Sequence, residues 1–202
     1  FFFKILGISW STFIIHSSIF NLILAVSSYF LLKKLELTNF FAFIYSLFIS
    51  LLFYPVVGTP FVDHHSVLFL LLAFYSYIIV IKTKNYKLLY CIPLILVLSF
   101  LSKQTPAAYG IISLFILIII YSLFEKRNLK KILFNSLIGT IIGVIFIFLF
   151  FILTGIELSN FFSQYILFAS SIGGDRLAIY NFNIFNEISK YKFIFYFIFF
   201  LI

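Results

Sequence analysis

Six long apolar runs, at about residues 12–32, 38–54, 66–81, 88–102, 107–124 and 132–153, are separated by short polar connections, and a further run begins at 193. Each approaches the roughly 20 residues that a helix needs to cross a ~30 Å hydrocarbon core. Inside a bilayer the backbone must satisfy its own hydrogen bonds, which in runs of this length only a helix achieves. The expected fold is therefore all-α: a polytopic transmembrane helix bundle of about six to seven spans with one longer outer loop. Composition agrees, with 64% hydrophobic and 10% charged residues, against roughly 45–50% and 25% in soluble domains.

The net charge of +8 finds its place once the basic residues are assigned to loops. Lys33 and Lys34, then Lys82, Lys84 and Lys87, then Lys126, Arg127, Lys130 and Lys131 occupy alternate connections and so share one side of the membrane. By the positive-inside rule that side is cytoplasmic. Topology thus accounts for the basic charge, and no nucleic-acid partner is expected. The opposite loops hold Asp63, His64 and His65, then Ser102, Lys103 and Gln104, then the segment 154–192 with Asp175 and Arg176. Lys190 and Lys192 fall on this outer side against the rule, which makes the last crossing the weakest assignment. The run 158–171 reads as an interfacial helix ended by a glycine turn at Gly173 and Gly174, within an extracytoplasmic loop.

The chain lacks methionine, opens on Phe1-Phe2-Phe3 and closes inside an apolar run, as expected of a fragment cut at both ends; 1–202 reads as one transmembrane domain. The only cysteine, Cys91, permits neither a disulfide framework nor a cysteine-based zinc site. The bias toward Phe, Ile, Lys, Asn and Tyr suits an AT-rich bacterial coding sequence, and hence a bacterial inner membrane.

Chemistry concentrates in Pro55–Ser66, PVVGTPFVDHHS, where a carboxylate and two imidazoles precede an apolar span. Asp63 suits a helix N-cap, favoured by the dipole; an ionisable group at membrane depth is also a functional candidate. His64 and His65 are adjacent, so on a helix they diverge by roughly 100° and do not readily grip one ion together. No metal site and no cofactor is assigned, although Asp63 with one imidazole admits a divalent metal. The short run before Lys103, followed by Pro106, suggests a tight helix-to-helix corner presenting an ammonium. Lys103 either anchors at the surface or binds a phosphate. Arg176 offers a second cation with a bidentate fork, or pairs locally with Asp175. His16, inside the first span, reads as a helix-to-helix polar contact.

The order YFLLKKL, then VDHHSVLFLLLAFYSYII, then LVLSFLSKQTPAAYGIISLF resembles the polytopic GT-C glycosyltransferases that use polyprenyl-phosphate sugars, such as protein O-mannosyltransferases and lipid A aminoarabinose transferases. The family pattern of an acidic residue entering a span, then a lysine corner one hairpin later, falls on Asp63 and on Leu101, Ser102, Lys103 and Pro106. His64, His65 and Ser66 depart from the small or apolar residues usual after the acid, and Gln104-Thr105 from the usual glycine. The resemblance covers roughly residues 3–115 and implies transfer of a sugar to an acceptor hydroxyl on the extracytoplasmic face. It implies a polyprenyl-phosphate-linked donor, a glycan, lipid or protein acceptor, Asp63 as a supporting carboxylate with His64 and His65 beside it, and Lys103 and Arg176 on the lipid phosphate. Gln104 and Asp175 stand as secondary residues. The family's principal carboxylate would precede Phe1. The competing readings are a transporter or flippase of a lipid-linked glycan, which calls for polar residues along several span interiors, and a surface-polysaccharide polymerase or ligase, which calls for a large arginine-bearing outer loop.

Overall fold

The computed structural model describes residues 2–53 and 62–172, together with Ser189 and Lys192. Its regular elements are α1 (Phe2–Leu6), α2 (Trp10–Lys34), α3 (Asn39–Phe53), α4 (Val62–Thr83), α5 (Cys91–Ser102), α6 (Gln104–Phe124), α7 (Leu129–Thr154) and α8 (Leu158–Asn160). A 3₁₀ turn, Tyr86–Tyr90, leads into α5, a second, Lys126–Asn128, leads into α7, and π-helical turns follow at Phe161–Leu167. The chain divides into two compact units, Phe1–Gly155 and Ile156–Ile202.

Four helices, α2, α4, α6 and α7, are long and apolar enough to cross a membrane. Their 25, 22, 21 and 26 residues give lengths from ~31 to ~39 Å at 1.5 Å per residue, against a ~30 Å core. The protein is a polytopic helical membrane protein. The expected count of six to seven spans is not reached on length. The runs 38–54 and 88–102 form α3, of 15 residues, and α5, of 12, which extend only ~22 and ~18 Å. The run from 193 lies outside the described residues.

The first unit is arranged for lipid rather than water. Large apolar side chains point outward on every long helix, among them Leu22 and Phe30 on α2, Ile112 and Phe115 on α6, and Phe134, Phe148 and Ile152 on α7. What is buried is often small or hydroxylic: Ser28, Ser46, Ser50, Ser66, Ser99 and Ser122. Lipid tails are as apolar as leucine, so helices associate through close packing at small residues and through polar contacts. On α3, Ala42, Ser46 and Ser50 recur every fourth residue and form its buried face, and α3 packs on α2. Ser28 on α2 and Tyr75 on α4 share a 3.1 Å hydrogen bond.

Close approach is greatest where α7 crosses the Tyr86–Tyr90 turn. A Cβ built on Gly139 would sit 2.6 Å from the Leu89 carbonyl oxygen and 3.0 Å from Tyr90 Cα, so only glycine fits. One turn on, Gly143 lies against Pro93 at ordinary contact distance. Gly139 and Gly143 form a G-x-x-x-G pair, the small-residue spacing that lets two backbones meet in lipid. Beside this crossing lies the main apolar cluster, built from Ala73, Tyr77 and Val80 on α4, Leu89, Ile92, Leu114 on α6 and Ile132 on α7.

In the second unit, helical structure runs from Leu158 through residue 172. Phe161 and Tyr165 stack there with ring centroids 4.9 Å apart.

Candidate functional site

Of the chemistry-bearing stretch, residues 55–61 lie outside the described residues, and the remainder is helical. Val62 already belongs to α4, so Asp63, His64, His65 and Ser66 occupy its first turns, with Asp63 as the acidic residue of the first turn. There the dipole favours the carboxylate without its serving as the N-cap. Four consecutive helical residues point in four directions about 100° apart, and here each meets a different neighbour.

Asp63 faces the corner between α5 and α6. Lys103 is the single extended residue there, with φ −157° and ψ 132°, and it ends α5 and begins α6. Its Nζ donates to Asp63 Oδ2 at 3.0 Å. The two side chains remain 37% and 50% exposed, so the pair is open to ligands. Pro106, third in α6, falls within the first turn, where its missing N–H leaves no bond unmade.

Ser66, one turn below Asp63, is fully buried together with Ser99 of α5. The two hydroxyls lie 3.0 Å apart; Ser66 donates to the Lys103 carbonyl at 3.1 Å and Ser99 to the Ser66 carbonyl at 2.8 Å. Not all of these donations can hold at once, since each hydroxyl carries one proton. Either arrangement clamps α4 to α5 directly under the ion pair. The clamp fixes the backbone at Lys103 and hence the reach of its ammonium.

The two imidazoles turn away from the pair. His64 meets Phe53 of α3 edge-on, with centroids 6.0 Å apart. His65 stacks on Phe20 of α2 at 4.1 Å and meets His16 in a T-shaped contact at 4.9 Å. His16, expected to be a helix-to-helix contact, is buried and also touches Phe3 and Phe20. Among the described residues no three His, Cys, Asp or Glu side chains converge as metal ligands. Gln104 opens α6 beside Lys103, while Asp175 and Arg176 lie outside the described residues.

The structure therefore brings together Asp63 and Lys103, 40 residues apart, and joins Ser66, the last residue of the candidate stretch, to Ser99, which the sequence reading passed over. The signal of Ser99 was present as a lone hydroxyl in an apolar run. A second polar cluster joins the other ends of the same helices: Lys84 pairs with Glu125 and donates to the Tyr121 hydroxyl at 3.1 Å, and Lys82 pairs with Glu36 at 2.8 Å.

No protein-family model, no curated protein and no solved structure matches this chain.

Proposed function

We propose that the protein is a membrane glycosyltransferase of GT-C type, moving a sugar from a polyprenyl-phosphate donor to an acceptor hydroxyl on the extracytoplasmic face of a bacterial inner membrane. The observation that carries this reading is the open Asp63–Lys103 pair at the start of α4 and the α5–α6 corner. In this topology α3 and α5 also cross, as tilted or thinned-membrane spans. The lysine-bearing turns then face the cytoplasm.

An ammonium has three donors. With one on Asp63, two can reach the donor's phosphate, and the first-turn N–H groups of α6 add a favourable field for an anion. The anomeric carbon–oxygen bond to phosphate breaks with its electrons passing to the phosphate oxygen, where Lys103 stabilises the developing charge. The acceptor oxygen forms the new bond and gives its proton to a carboxylate base. Asp63 supports this step by accepting a sugar or acceptor hydroxyl on its second oxygen and by holding Lys103 in place. His64 and His65 shape the wall behind it, and Arg176, with Asp175 and Gln104, belongs to the phosphate side of the proposal.

The test is turnover of a polyprenyl-phosphate sugar by full-length protein carrying Lys103→Ala or Asp63→Asn. Each is expected to reduce transfer on the order of 100-fold with folded yield retained. Unchanged turnover in both would reject the assignment.

A further inference from the structure

His65 lies in the first turn of α4 and fits into an aromatic cluster that ties α4 to α2 and α1. Its ring stacks on Phe20 at 4.1 Å with an interplanar angle of 29°, and His16 meets it edge-on at 4.9 Å. His16 in turn lies 4.8 Å from Phe20 and 5.2 Å from Phe3 of α1, and Phe3 lies 4.8 Å from Phe13. The His65 residue is partly exposed, yet its Nε2 is closed to solvent and has no hydrogen-bond partner among the described residues.

A neutral imidazole tolerates this place, since it carries one N–H and one bare nitrogen. An imidazolium does not. Whichever nitrogen takes the proton, both then bear N–H groups, so Nε2 is a donor on a cation with no acceptor in reach. The Phe20 face attracts a cation but cannot receive that hydrogen bond, and a charge shut from water is costly unless it is paired. The neighbouring groups do not supply the pairing. On α4, Asp63 is engaged by Lys103 and His64 turns to Phe53 of α3. From α2 the facing titratable group is His16; α3 carries no charged residue, and Lys4 on α1 is exposed.

We propose that His65 and His16 form a pH-sensitive latch between α2 and α4, closed while His65 is neutral and opened when a proton on His65 draws its ring out of the stack toward water. Histidine is the side chain whose ordinary charge change falls between about pH 5 and 8, and protonation of histidine clusters opens interfaces in this way. The latch acts on one side of α4. On another side Ser66 and Ser99 hold α4 to α5 through hydroxyls that do not titrate in this range. Acid therefore releases α1 and α2 from the start of α4 and leaves the Asp63–Lys103 corner assembled.

Spin-label distances in full-length protein in nanodiscs test this, with the exposed Cys91 replaced by serine so that only introduced cysteines are labelled. One pair joins Ile15→Cys on α2 to Tyr109→Cys on α6, and the reference pair joins Val62→Cys on α4 to the same α6 position; all three side chains are exposed. From about pH 8 to about pH 5 the first distance is expected to lengthen by at least the ~3 Å of one water layer, while the reference distance holds. His65→Phe keeps a ring in the stack and His65→Gln keeps a polar side chain; neither ionises, and neither should show the change. The readout is a distance, so it is independent of the proposed transfer reaction. An unchanged first distance in the wild type, as when His16 accepts the new N–H in place, would overturn the latch. So would the same lengthening in both His65 variants, or an equal change in the reference pair.

Discussion

The two ends of the α4–α6 bundle are both closed by a lysine and a carboxylate, yet they are built differently. At the Asp63–Lys103 end the ion pair stands on a buried hydroxyl clamp, Ser66 with Ser99, and presents its charges from a one-residue corner. At the other end Lys84 and Glu125 sit over the apolar cluster, with the Lys84 ammonium also 5.2 Å above the Tyr121 ring. Here two non-glycine residues, Glu36 and Lys84, adopt left-handed φ values of 71° and 55°, and each belongs to an ion pair. The lysine-rich end thus uses its charges to close turns, while the Asp63–Lys103 pair, similarly exposed, is oriented by the hydroxyl clamp beneath it.

The largest expected disturbance is at the lysine-rich end. Gly139→Leu would drive a side chain into the Leu89 carbonyl and should destabilise by about 1–3 kcal/mol or more, seen as a lower Tm in detergent; Gly143→Ala, with ordinary contacts, should cost under ~1 kcal/mol. Equal effects would refute the close crossing. Next in size is the clamp. Ser66→Ala and Ser99→Ala should each cost about 1 kcal/mol and the double variant less than their sum; strict additivity would mean the two hydroxyls do not act together.

Smaller still, Glu36→Gly relieves a left-handed backbone at the expense of an exposed pair. A gain of about 0.5–1 kcal/mol is expected, and a clear loss would show that the Lys82 contact outweighs the backbone strain. The pH response should be smallest. The Lys84 hydrogen bond, chiefly, holds the Glu125 carboxyl below its ordinary 4.5, and the Glu125 hydrogen bond, chiefly, holds the Lys84 ammonium above 10.5. The pair therefore contributes its full share of stability between about pH 4.5 and 10.5. That share is lost as pH falls through the depressed folded value of Glu125 or rises through the elevated one of Lys84. Thermal melts of Glu125→Gln should show a shallower acid slope below pH 4.5 than the wild type; identical slopes would remove the pair from the account.

Much of the fold was legible because lipid imposes a simple rule: apolar runs must be helices, and lysine-bearing turns alternate with those holding Asp63 and Lys103. That placed Asp63 and Lys103 at one end before any coordinates. Their contact was not legible, because it depends on the rotation of α4 relative to the α5–α6 corner, which a hydrophobic all-round helix does not encode. α4 starts at Val62, one residue before Asp63, which was expected to cap it, so the polar residues ahead of the apolar run at 66 lie within the helix. Spacing did contain Gly139 and Gly143, and the lone Ser66 and Ser99; their meaning needed the partner helix. The shortness of α3 and α5 was only half visible, in the short run 88–102 before Lys103.

The most direct test of the proposed functional difference between the ends is a matched neutralisation in one transfer assay with a polyprenyl-phosphate sugar. Asp63→Asn with Lys103→Met is compared with Glu125→Gln with Lys84→Met, each in full-length protein of verified folded yield. The account predicts that the first pair loses turnover on the order of 100-fold while the second stays within about twofold of the wild type, as exposed pairs contribute little. Equal turnover in the two variants, or a loss confined to the Lys84–Glu125 end, would contradict it.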